Sequence, residues 1–138
     1  MNYYAVIDTN VVVSSMLKSS SLPGKVMDYV IDGTIIPFLN QEILNEYKEV
    51  LSRNEFGFEE SDINELIQQL TDTGIMLDRT NTDFAFTDSD DAVFYEIVLT
   101  ARQSNESYLV TGNIRHFPAE PFVVTPREMI EIIEAPIV

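Results

Sequence analysis

The sequence predicts an α/β fold, a three-layer α/β/α sandwich around a central parallel sheet of about five strands. Short apolar runs of strand length alternate with longer segments whose apolar residues recur at helical spacing. The first of these runs, YYAVI, is almost continuously apolar, as suits a strand buried on both faces. The chain has 138 residues, 45% of them hydrophobic, enough for a single domain over 1–138 with its own core. No repeat, low-complexity tract or linker divides it.

Tyr3–Ile7 reads as the first strand and ends at Asp8. A helix over Asn10–Leu17 follows, with Asp8, Thr9 or Asn10 as its cap. The segment SSSLPG breaks it, and Pro23 suits the first turn of the next helix. That helix places Val26, Met27, Val30 and Ile31 on one face and stops at Gly33. Ile35–Leu39 is the second strand. Asn40 then caps a helix to about Ser52 whose apolar stripe is Ile43, Leu44, Tyr47, Val50 and Leu51. Asp62–Thr73 is a helix with Ile63, Leu66, Ile67 and Leu70 at helical spacing, and Gly74 stops it. Ile75–Leu77 is a short third strand. A long helix lies between Thr87 and about Ser104, with Asp88 or Thr87 as cap and Val93, Phe94, Ile97 and Val98 on its apolar face. Tyr108–Thr111 and Phe122–Thr125 are the fourth and fifth strands, and Pro126 opens a last helix to about Glu134.

Eight Lys+Arg against 23 Asp+Glu give a formal charge of -15. So acidic a chain does not capture nucleic acid through a broadly basic surface. The bias favours solubility, cations or a basic protein partner, and a well-solvated acidic surface accounts for much of it. The absence of cysteine excludes disulfides, thiolate metal sites and cysteine nucleophiles. MNYYAVIDTN has no signal-peptide pattern, and no apolar run approaches the ~20 residues that span a bilayer. A soluble, cytoplasmic protein without membrane contact is the expectation.

In open parallel sheets ligands bind beyond the carboxyl ends of the strands, so the polar residues there are the candidates. Asp8 ends the first strand between two apolar runs. An ionised carboxylate there needs a hydrogen bond, a partner or a cation, and capping the next helix is the alternative use. Thr9 and Asn10 add oxygen and amide groups at the same point. Glu46 borders the apolar stripe of its helix and is its best inward carboxylate, whereas Glu42 and Glu49 turn toward solvent. In 86-FTDSDDAVFYE-96, Asp88 suits the cap, Asp90 points away, and Asp91 extends the face of Phe94 and Val98. Acidic residues in a first helical turn are also favoured by the helix dipole alone. Thr111 and Asn113 follow the fourth strand in VTGNIRHF, which also reads as an ordinary Gly-Asn turn. His116, the single histidine, reads as a packing or surface residue. Lys18, Lys25 and Arg115 are candidates to rim the same edge and contact phosphate. Oxygen donors without Cys or His suit a hard cation, Mg2+ or Mn2+.

The segments VIDTNVVVS, EILNEYKEVL, DSDDAVFYE and LVTGNIRHFP, in that order, resemble the PIN-domain family of metal-dependent ribonucleases, and more narrowly the toxin component of bacterial toxin–antitoxin pairs. The resemblance covers nearly the whole chain. It implies that Asp8, Glu46 and Asp91 are acidic metal ligands for Mg2+ or Mn2+, and that the reaction is hydrolysis of RNA phosphodiester bonds. Thr9, Asn10 and Thr111 would orient ligands or contact phosphate, and Asp88 or Asp90 would assist through water. It further implies an antitoxin with a basic segment and a homodimer. The family often carries a fourth acid where this chain has Asn113. That departure leaves an alternative open: a catalytically weak or inactive PIN-fold protein acting as an acidic interaction module. A phosphorylation-receiver domain is disfavoured, because no lysine ends a late strand. An aspartate-nucleophile phosphatase is disfavoured too, because Asn10 stands where a second Asp would be needed.

Overall fold

The computed structural model describes residues 2–80, 82, 84–86 and 88–136. Among them run β1 (Tyr3–Ile7), α1 (Thr9–Leu17), α2 (Leu22–Ile31), β2 (Ile35–Leu39), α3 (Gln41–Leu51), α4 (Glu60–Thr73), β3 (Ile75–Met76), α5 (Ser89–Arg102), β4 (Ser107–Val110), β5 (Val123–Val124) and α6 (Pro126–Glu134). A single 3-10 turn over Ile114–His116 was not expected from the sequence. The strands form one parallel sheet in the order β3-β2-β1-β4-β5, flanked by the helices in a three-layer α/β/α arrangement.

Local chemistry explains most boundaries. Asn40 accepts from the Ile43 N–H, Ser21 accepts from the Gly24 N–H, and Thr125 forms a reciprocal capping box with Glu128. Asp88 caps α5 by accepting from the Asp90 N–H; Thr87, its alternative, lies outside the described residues. Gly74 ends α4 for a steric reason: a Cβ there would come within 2.5 Å of Leu39 Cδ1 and 2.7 Å of the Leu70 carbonyl oxygen. Only a residue without a side chain lets α4 turn straight into β3 against β2.

The core is continuous from β1 to the flanking helices. Ala5, Val6 and Ile7 are buried with Val12, Ile35, Leu39, Phe94, Ile97, Val98 and Leu109. Phe94 packs on Tyr47, so α5 meets α3 through two large rings at a centroid distance of 6.3 Å. Truncating a buried ring of this size costs about 3–5 kcal/mol. One core expectation fails: Ile31, the last residue of α2, is 52% exposed, while Val30 beside it is buried.

The strand order sets the functional geometry. The chain moves from β1 to β2 on one side, and later returns to place β4 on the other side of β1. The crevice beyond the carboxyl ends of β1 and β4 is therefore the topological switch point, the place where such sheets bind ligands. Asp8 follows β1 there, and Thr111 follows β4.

Candidate metal centre

Asp8 is only 5% exposed, and neutral groups alone donate to it. Its Oδ1 accepts from the Thr9 N–H at 2.8 Å. Its Oδ2 accepts from Asn10 Nδ2 at 3.0 Å and from the Thr111 hydroxyl at 2.7 Å. Asp8 is thus also the cap of α1. Burial pushes its carboxyl above the ordinary carboxylate range, against the pull of those three donors and of His116.

The neighbouring segments are laced to Asp8 through its own donors. The Thr9 hydroxyl donates to Glu46 Oε2, so one residue touches both acids. Asn10 Oδ1 accepts from the Gly112 N–H at 2.9 Å, which draws the β4 loop against α1. A Cβ at Gly112 would stand 3.2 Å from that same oxygen. Thr111 accepts from the Asn113 N–H at 3.0 Å while donating to Asp8.

Glu46 is half-buried on α3, with its proton affinity raised first by burial and then by the charges of Asp90, Asp8 and Asp88, against the Thr9 hydrogen bond. Asp90 is exposed, as expected, and acts on Glu46 through its charge more strongly than Asp8 does. Asp91 has a side chain 15% exposed and is pushed up to about 6 by burial and by the charges of Asp8, Asp88 and Asp90, with His116 opposing. Three acids from three distant segments therefore share one electrostatic neighbourhood, and each is harder to ionise than usual.

A model of the PIN domain matches residues 4–115. The chain belongs to the PIN-domain family. PIN domains are generally nucleases and usually use divalent metal ions. No curated protein matches this chain.

The donor set of this PIN domain fits a hard cation by its chemistry. It offers carboxylate oxygens whose ionisation a cation would favour, with hydroxyl and amide oxygens beside them. Among the described residues, however, no three His, Asp or Glu side chains stand close enough to form a ready-made ligand set.

Two expectations about basic residues do not hold. Lys25 pairs with Glu134 at 2.7 Å, joining α2 to α6. Lys18 stands at the far end of α1, about 13 Å of helix from Asp8. Both are carried away from the carboxyl edge. Arg115 is exposed in the 3-10 turn beyond β4 and stays on that side. His116, read as a packing or surface residue, puts Nδ1 at 3.5 Å from Asp91 Oδ2 with its side chain 54% exposed. The sequence held one usable sign of this: His116 lies three residues beyond Asn113, in the same loop.

Proposed function

We propose that this PIN domain is a metal-dependent endoribonuclease that hydrolyses RNA phosphodiester bonds, working as the toxin of a toxin–antitoxin pair in the cytoplasm. The observation that carries this reading is geometric: in a chain of the PIN family, Asp8 stands at the switch point, accepts from Thr111 and is tied through Thr9 to Glu46. Asp8, Glu46 and Asp91 hold Mg2+ or Mn2+. When bound, the ion supplies an acidified water and neutralises charge developing on the phosphoryl oxygens.

The chain's own groups set up the remainder. Thr111, Asn10 and the Thr9 N–H orient Asp8, so its carboxylate is fixed before anything binds. Thr9 holds Glu46 beside it. One of the three carboxylates would accept the proton of the attacking water. His116, facing Asp91, offers a donor toward the same point. Arg115 is the cation on this side for phosphate contact. Asp88 and Asp90 deepen the negative field, which disfavours RNA until a cation is bound. The formal charge of -15 also suits a basic antitoxin segment laid across this edge. The resemblance to PIN-type toxins supports a homodimer as the working form.

The test is cleavage of single-stranded RNA with added Mn2+, and loss of that cleavage in Asp8→Asn. No cleavage by the wild-type protein across a range of RNAs, with Mn2+ or Mg2+, would instead support an acidic interaction module. Asn113, in place of a fourth acid, is the residue that favours that second reading.

A further inference from the structure

We infer that Arg79 is a positioning residue, a cationic clasp that holds the two acid-bearing helices α3 and α5 together against their own repulsion. This rests on the metal-site reading above. Glu96, on α5, is a buried carboxylate with no part in the candidate centre, and is 6% exposed. Arg79 Nε donates to its Oε1 at 2.7 Å, and the Thr82 N–H donates to its Oε2 at 3.0 Å. The same guanidinium reaches Glu42 Oε2 on α3 at 2.8 Å. Arg79 thus spans the two helices from the loop between β3 and α5.

The positions of its partners give the bridge a purpose. Glu42 stands one helical turn before Glu46, and Glu96 little more than one turn after Asp91. The helices it ties are the ones that bring Glu46 and Asp91 to the switch point. Across that boundary the charges are otherwise of one sign, since Asp88 and Asp90 act on Glu46 from α5. Among the described residues, Arg79 is the cation that pairs with acids on both helices. A planar guanidinium suits the task, because its fork serves two carboxylates in fixed directions. The Thr80 and Thr100 hydroxyls, 2.5 Å apart, fasten the same loop one turn further along α5.

The test compares wild type with Arg79→Lys, Arg79→Met and the double variant Arg79→Met/Glu96→Met, which leaves no buried charge unpaired. Two quantities are read: amide hydrogen exchange over residues 90–94 in the metal-free protein, and Mn2+ affinity from the paramagnetic resonance of free Mn2+. In the double variant we expect exchange at the start of α5 to speed by about tenfold while β1 stays protected, and Mn2+ to bind about tenfold more weakly, the scale of losing a group that orients metal ligands. Lysine should recover only part of either effect. Unchanged exchange and affinity in the double variant would overturn the proposal. So would an even loss of protection over β1 and β4, which marks a general stabiliser. If exchange changes as expected but the wild-type protein binds no Mn2+, the metal reading fails and the clasp remains as a holder of the helix ends.

Discussion

Asp91 and Glu96 lie on the same helix, little more than a turn apart, and their surroundings treat them in opposite ways. Glu96 is buried against a guanidinium and a backbone N–H. Asp91 faces other acids and one exposed histidine, and is pushed up to about 6. The clasp answers its charge within the fold, whereas the centre at the switch point leaves its charge unanswered. Asp8 makes the contrast sharper: three neutral donors aim it, and none neutralises it. A protein that wanted only stability would pair both groups. Unpaired, pre-aimed carboxylates cost stability, and a bound cation recovers it.

The largest expected effect comes from breaking the unanswered side. Asp8→Asn should lower Mn2+-dependent RNA cleavage by more than about a hundredfold, since even partners that merely orient a ligand are worth about 10–100-fold. Circular dichroism should show the fold intact, at the cost of a hydrogen bond where the asparagine NH2 faces a donor that the carboxylate accepted from.

Breaking the answered side should act on stability first. Arg79→Met leaves Glu96 buried without its cation, and urea denaturation should show a loss of about 2–3 kcal/mol, below the usual cost for a buried pair because Arg79 keeps some solvent contact.

Thr111→Val removes the hydroxyl that donates to Asp8 and accepts from the Asn113 N–H. It should cost about 1–3 kcal/mol of stability. It should also weaken Mn2+ binding less than loss of Asp8 itself, as isothermal titration would report.

The smallest effect is a pH dependence of the metal-free protein. Raised folded values mean that Asp8, Glu46 and Asp91 hold protons in the folded state that the unfolded chain has already released. Their contribution to stability is therefore fully present at low pH and is lost as pH rises through about 6 for Asp91. Thermal melts should show a small rise in midpoint from pH 7 to pH 5, and saturating Mn2+ should reverse that trend by binding the ionised forms more tightly. A midpoint that falls over the same range without metal would contradict the raised proton affinity of these acids, which burial sets first.

How far the sequence spoke for this molecule depends on the range of the interaction. Caps and strand ends are local, so Asn40, Asp88, Pro126 and the bounds of β1 and β2 were legible from neighbouring residues. The switch point followed from alternating strands and helices, and the apolar face of α5 separated Asp91 from Asp88 and Asp90. Side chains that act across the fold were not legible. Glu96 is buried at the side of the apolar face of α5, and nothing near it in sequence announces Arg79. Lys18 and Lys25 are near Asp8 in sequence but not in space, because α1 carries the chain away and Lys25 pairs with Glu134. Asp90 shows the limit of a face argument: its side chain is exposed, but its charge still reaches Glu46.

The most direct measurement is a crystal structure of the protein soaked with Mn2+, read by anomalous scattering. The expected result is an ion beyond the carboxyl end of β1, with oxygens of Asp8, Glu46 and Asp91 all in its coordination sphere. An ion bound elsewhere, or one that leaves any of these three carboxylates uncoordinated, would contradict the assignment.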